Sequence, residues 1–237
     1  MRILHIITGL DDGGAEAVLY RICKLDKEYH HIVISFQGEQ KYVSLLQKNN
    51  ISVHTLNFSK TRINIFGLFK LLKLIKQLKP DVVQTWMPHA DLIGGVMARI
   101  VGVKNIFWGI HHTNLIKGKI NRIVLIIVKL NSILSSFVPT KIIYCAEKSR
   151  EVQESIGFKK NKGVVVHNGY DTNSFFQDNS LGNGIRNELG ISHETFVIGH
   201  VGSYNPLKDQ ETLIKSLRYL DQKGINFNAI FVGKKLD

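Results

Sequence analysis

A chain of 237 residues with 44% hydrophobic residues and only 4 prolines argues against disorder and leaves room for one large domain or two modest ones. Its two cysteines, Cys23 and Cys145, lack a CxxC partner, which speaks against a disulfide framework and a cysteine metal site and for reduced thiols in a cytoplasmic protein. The net charge of +12 is unevenly placed: residues 60 to 160 hold 17 of the 31 Lys and Arg but 5 of the 19 Asp and Glu, so this middle section carries the whole excess.

In chain order, an apolar strand, Ile3–Ile7, meets a polar turn with glycines, Thr8 to Gly14. A helical pattern follows from Glu16 to Leu25. Glycines let a backbone approach a ligand closely, and a helix N-terminus offers unpaired N–H groups to an anion. Further strands are expected at His31–Ser35, Val53–Leu56, Val82–Thr85, Ile106–Gly109, Lys141–Cys145 and Gly163–His167. Helices are expected near Lys41–Lys48, Ile63–Leu78, Ala90–Val101, Lys119–Ser135 and Glu147–Ser155. This alternation predicts an α/β domain, a parallel sheet covered by helices with ligands at the carboxyl ends of its strands. No leader or spanning helix is expected. The first apolar run is short and meets Asp11 and Asp12, and the most apolar segment, Ile120–Val138, is broken by Arg122, Lys129 and Asn131.

Two helices account for much of the basic middle. In Ile63–Leu78, residues Leu68, Leu71, Leu72, Ile75 and Leu78 share a face, with Lys70, Lys73 and Lys76 around it. In Lys119–Ser135 the stripe is Ile120, Ile123, Ile127, Leu130 and Leu134. Apolar faces with cationic flanks suit an anionic membrane. A stripe packed on the sheet beneath a solvated lysine surface gives the same pattern. Exposure of Phe66, Phe69 or Ile126 would favour the membrane.

After a polar stretch, Asp171 to Asn187, a strand (Phe196–Val201), a helix (Asp209–Leu220) and a strand (Phe227–Val232) form one βαβ unit, too small for its own core. The expected organisation is therefore a first domain over residues 1–170, a linker over 171–190 and an incomplete second domain over 191–237. In the second unit Gly202 follows the strand and Lys208 precedes the helix, an arrangement suited to a diphosphate. A glycine turn with a solvent lysine also occurs without a ligand.

The ordered segments GGAE (Gly13–Glu16), DVVQTWMPHADLIGG, WGIHHT, VVVHNGYDTNSF and VGSYNPLKDQETLI closely resemble family 4 glycosyltransferases of bacterial surface polysaccharide synthesis, such as capsule or O-antigen. The resemblance runs through the whole chain. It implies a GT-B fold: a Rossmann-like first domain, on the acceptor side, and the start of a second, which binds nucleotide-sugar. It implies transfer of a sugar from a nucleotide-sugar donor to a lipid-linked or saccharide acceptor, with retention of configuration and no metal or other cofactor.

The resemblance also assigns residues. Gly13 and Gly14 line the cleft near donor phosphate and acceptor, with Glu16 beside them. His111 stands at the reacting sugar, and His112 is the competing alignment. Asn168, Gly169 and Asp171 approach the cleft, and Gly202 and Lys208 hold the donor diphosphate. His89, just before a helix, is a further cleft candidate or a capping neighbour. His5, His30, His31, His54, His193 and His200 are expected to be surface or packing residues. The chain departs from the family at Ser203, where an arginine is usual, and it ends before the family's paired donor-site glutamates. The expected protein is a peripheral enzyme on the cytoplasmic face of an anionic membrane, with no nucleic-acid partner. The alternative is a catalytically inactive truncated product, or a non-catalytic partner subunit keeping the acceptor domain.

Overall fold

The computed structural model describes residues 1–58, 65–111, 121–206 and 208–234. The chain divides into two compact units, Met1–Gly169 and Tyr170–Asp237.

The first unit is built on seven parallel strands: β1 (Arg2–Ile7), β2 (His30–Ser35), β3 (Ser52–Thr55), β4 (Val82–Trp86), β5 (Asn105–Ile110), β6 (Lys141–Tyr144) and β7 (Gly163–Val165). Their order across the sheet is β3-β2-β1-β4-β5-β6-β7. The order reverses between β1 and β4, which marks the carboxyl edge there as the place for a ligand. Helices α1 (Gly14–Leu25) and α2 (Lys41–Lys48) cover one face, burying Leu19, Cys23, Val43 and Leu46 against Ile7, Val33 and Trp86. Helices α3 (Ile65–Leu78), α4 (Pro88–Ile100) and α5 (Arg122–Leu134) cover the other, burying Leu71, Ile75, Ala90 and Val128 against Leu4, Ile6, Val83 and Trp108. Burial on both faces explains why the central strands are almost continuous apolar runs. Helix α6 (Glu147–Ser155) links β6 to β7.

Two adjacent glycines set α4 directly on the sheet. A Cβ at Gly94 would stand 2.8 Å from Ile6 Cγ2, and one at Gly95 would collide with the Trp108 indole. Asp91 of the same helix is fully buried and accepts from Thr85 Oγ1 at 2.6 Å. Burial pushes its pKa well above the ordinary carboxylate value, against the opposing hydrogen bond from Thr85. Helix α5 buries part of the expected stripe: Ile127 and Leu134 pack inward together with Val128, Asn131 and Ser132, while Ile123 and Leu130 are exposed and Ile120 lies outside the described residues. Asn131 donates to the Pro88 carbonyl at 2.9 Å, and that bond to the start of α4 rotates the polar Asn131 inward.

In the second unit, α7 (Asn179–Glu188) lies within the polar stretch expected as a linker. Asp178 caps it, accepting from the N–H groups of Ser180 and Leu181. Two glycines, Gly182 and Gly184, and the lack of a buried residue hide the helix from an apolar-periodicity reading. Strands β8 (Phe196–Val201) and β9 (Phe227–Val232) pair in parallel around helix α8 (Gln210–Gln222). This small layer leaves Phe196, Val201 and Ile214 exposed.

Candidate functional site

At the end of β1 the chain turns through Thr8–Gly13 into α1. Gly13 is the N-cap, in extended conformation and without a side-chain cap. Glu16, in the first turn, folds its carboxylate back over Gly13, where any Cβ would collide with it. Burial, with Asp11 adding repulsion, raises the Glu16 pKa. Gly14 is open, with nothing within 4 Å of an added Cβ. Asp11, Asp12 and Glu16 make this helix N-terminus acidic, although Lys41 pairs with Asp12. With Asp12 offset by Lys41, the Asp11 and Glu16 carboxyl groups disfavour a diphosphate here and suit hydroxyl groups, which donate hydrogen bonds.

At the end of β4, Met87 adopts a positive φ of 74° before Pro88 opens α4. A non-glycine residue in that region is strained and needs support. The Met87 N–H donates to the Gly109 carbonyl at 3.3 Å. His89 follows at the second position of α4, half-buried, and burial lowers its pKa.

At the end of β5, Gly109 pairs with Trp86 across β4. His111, two residues on, points to the same face. Its ring stacks on the Trp86 indole with centroids 4.8 Å apart and planes 14° apart. A Cβ at Gly109 would stand 2.9 Å from the Thr85 carbonyl oxygen and 3.3 Å from His111 Nε2, so a glycine is what allows this stack. Gly13, Gly14, His89 and His111 therefore converge at the carboxyl ends of the adjacent strands β1, β4 and β5. His112 lies outside the described residues. Asn168 and Gly169 close the first unit after β7. Asp171, the second residue of the second unit, accepts from the Asn173 N–H and from Ser174 Oγ within its own turn.

In the second unit the Gly202 loop and Lys208 do come together: the aliphatic stem of Lys208 lies 3.9 Å from the Cβ position of Gly202. Two residues absent from the sequence-based site shape this loop. Gly233, at the end of β9, packs its Cα against the Gly202 carbonyl, leaving no space for a side chain. Gln210, buried at the start of α8, donates to the Ser203 carbonyl at 3.0 Å.

Of the histidines expected at the surface or in packing, His5 and His31 are packing residues, 1% and 3% exposed. His5 Nε2 lies 2.9 Å from His31 Nδ1, and Trp86 Nε1 donates to His5 Nδ1 at 3.2 Å. Potential ligand atoms of His5, Cys23 and His31 all fall within 4.8 Å of one another. The hydrogen bonds oppose metal binding. An indole only donates, so His5 Nδ1 carries no proton and Nε2 carries it. A cation at that nitrogen would require an imidazolate, and burial pushes the Cys23 thiol up to about 12.

Residues 12–174 match the family model Glycosyltransferase Family 4. The chain belongs to glycosyltransferase family 4. Among its relatives, EpsF of Bacillus subtilis strain 168, assigned as a glycosyltransferase, is 22% identical over 253 residues, covering 98% of this chain and 62% of EpsF. The UDP-Gal:alpha-D-GlcNAc-diphosphoundecaprenol alpha-1,3-galactosyltransferase of Escherichia coli is 24% identical over 167 residues, covering 70% of this chain and 43% of that enzyme. This family 4 chain thus spans less than two thirds of the length of both curated relatives. HepE of Anabaena, crystallised in complex with UDP and glucose, superposes with a TM-score of 0.76 at 19% identity, over 99% of this chain and 69% of HepE. That likeness, with the parallel Rossmann-like sheets described above, establishes the GT-B type of fold.

Proposed function

We propose that this family 4 chain acts in polysaccharide biosynthesis, moving a hexosyl group from a nucleotide-sugar to a lipid-linked or saccharide acceptor with retention of configuration. The observation that carries the reading is the convergence of the Gly13–Gly14 turn, His89 and His111 beside the strand-order reversal. The first unit would bind the acceptor: its acidic helix N-terminus accepts hydrogen bonds from sugar hydroxyls, and His111 stands at the reacting sugar. The second unit would bind the donor, with the Lys208 ammonium at the diphosphate beside the Gly202 turn, whose Gly202 and Tyr204 N–H groups are taken up by the Val232 and Lys234 carbonyls. As the bond to the anomeric carbon breaks, negative charge grows on the leaving phosphate, and a placed ammonium group stabilises it more than it stabilises the ground state. In this reading the lysine supplies the cationic charge and no metal is assigned. Nucleotide-sugar binding to the purified chain, measured by calorimetry, tests it.

A peripheral position on the cytoplasmic face of an anionic membrane belongs to the same proposal. Among the described residues no helix is long and apolar enough to cross a membrane. Support comes instead from Ile65, Phe66 and Phe69 on α3 and from Ile123, Ile126 and Ile133 on α5, all exposed by 60% or more. In a βαβ sheet both helices begin at the carboxyl edge, so Ile65, Phe66, Phe69, Ile123 and Ile126, in their first turns, flank the edge that carries His111, while Ile133 lies at the far end of α5. Lys70, Lys73 and Lys76 are exposed beside them and suit anionic headgroups. The E. coli relative is named for an undecaprenyl-diphosphate acceptor, and a surface-bound enzyme would meet such a substrate at the bilayer. The chain is expected to float with vesicles rich in anionic lipid at low salt. Replacing Phe66 and Phe69 together by serine should remove most of that binding, each ring contributing buried apolar area. Absence of flotation at low salt would refute the membrane reading.

A further inference from the structure

Four aromatic or imidazole side chains cross the sheet as a diagonal. The strand registers pair Ile3 with His31 and His5 with Val33, His5 with Gln84 and Ile7 with Trp86, and Trp86 with Gly109. His31 on β2, His5 on β1, Trp86 on β4 and His111 after β5 therefore lie on one face, each two residues nearer the carboxyl edge than the last. Residues offset by two on neighbouring strands are within reach when the side chains are long. His31 Nε2 lies 3.1 Å from Asp26 Oδ2, in the turn that ends α1. His31 and His5 stack with ring centroids 5.2 Å apart.

Only one arrangement of protons satisfies every bond. The Trp86 indole N–H donates to His5 Nδ1, the His5 Nε2–H to His31 Nδ1, and the His31 Nε2–H to the Asp26 carboxylate. Every link has one donor and one acceptor, and the terminal acceptor reaches solvent, with Asp26 28% exposed. Burial, with His31 alongside, holds the His5 pKa down to about 3, so His5 stays neutral and the direction of the chain does not invert near neutral pH. A polar series of this kind has no packing advantage over Leu or Val in a strand interior, and unsatisfied it would be costly. What it accomplishes is to fix the plane of the Trp86 indole, the surface on which the His111 ring lies.

We propose that Asp26, His31, His5 and Trp86 form a hydrogen-bonded positioning relay that sets the orientation of the His111 ring at the carboxyl edge. The proposal rests on the reading of His111 as the group at the reacting sugar. None of the four touches substrate; they act through His111, and the anchor of the series lies at the far end of α1, remote from the glycine turn.

The test is nitrogen-15 NMR of the imidazoles and indoles in the full chain. At pH 8, His5 and His31 should both be Nε2–H tautomers, and the Trp86 indole N–H should be shifted downfield and protected from exchange. His5→Leu should release that N–H and move the His111 ring resonances, and His5→Asn, whose amide oxygen can accept from the indole, should restore both. Because a leucine at His5 leaves two buried partners unbonded and puts folding at risk, Asp26→Ala gives the same test from the surface. It should alter the Trp86 N–H, three steps along the relay, and the His111 resonances, one step further, whereas Asp26→Asn should leave them in place. Where transfer is measured, Asp26→Ala should lower kcat about tenfold with the donor KM within about twofold, the pattern of lost alignment. An Nδ1–H tautomer at His5, or an Asp26→Ala chain in which only His31 responds, would overturn the relay. The resonances are read without donor or acceptor, so a chain that transfers no sugar would bear on the glycosyl-transfer reading alone.

Discussion

Replacement of His111 by alanine is expected to lower kcat for sugar transfer about 100- to 1000-fold while the KM for the nucleotide-sugar stays within about twofold. The magnitude follows from position. The imidazole stands at the end of β5 and is held against Trp86 at 4.8 Å, so its orientation is set before substrate arrives. A preset dipole or proton acceptor acts on the transition state without a cost of reordering. The donor contacts proposed for Lys208 lie in the other unit and are untouched by the change, which is why KM should hold. His111→Gln, which preserves a hydrogen-bonding tip but not the flat ring on Trp86, should recover only part of the loss. Initial rates with saturating acceptor, together with the anomeric configuration of the product by proton NMR, measure the effect and the predicted retention. Loss confined to KM would move His111 from the reacting sugar to simple binding.

The second large effect is on stability. Gly95→Val should destabilise the chain by about 3 kcal/mol or more, or lower the melting temperature by roughly 6–12 °C. Even the Cβ of such a side chain would collide with the Trp108 indole and come within 3.2 Å of Val138 Cγ1. Trp108 is fully buried and has no room to retreat, so α4 would have to lift from the sheet. That displacement would carry Pro88 and His89 with it, since both sit at the start of α4. Gly14→Ala is the matched control: the added methyl meets nothing within 4 Å and enters a helix, so stability should hold or rise slightly. Urea denaturation of the three proteins gives the comparison.

The Rossmann-like alternation was legible because hydrophobic runs and glycine turns report local structure. Strands such as Phe196–Val201 and Phe227–Val232 fall at the same bounds in sequence and structure. Helix α7 was not legible: its start signal, Asp178, was present, but Gly182 and Gly184 and a mostly polar background with only Leu181 and Ile185 apolar concealed it. The α5 stripe was legible only in part: Ile127 and Leu134 pack inward, but the inward turn of Asn131 depends on its bond to Pro88, a tertiary contact that hydrophobic periodicity does not encode. Motif order singled out the glycine turn and His111, and its place just before a helix singled out His89; the structure sets all three at the carboxyl ends of neighbouring strands. Trp86 and Gly109 were missed as site residues because their importance lies in a ring stack and a close approach between strands. His5 and His31 did carry a signal. Each sits in an apolar strand at alternating spacing, and a buried imidazole requires partners. Gly233 carried none, since its closeness to Gly202 depends on the pairing of β8 with β9.

The most direct test of the central claim is titration calorimetry of the purified chain against a panel of nucleotide-sugars, with Lys208→Ala as the paired variant. The account predicts that one donor binds and that the variant weakens it about tenfold, the loss of one charge-assisted phosphate contact. If no nucleotide-sugar binds, or if Lys208→Ala binds the donor as tightly as the unmodified chain, the assignment of the donor diphosphate to the Gly202–Lys208 loop is wrong.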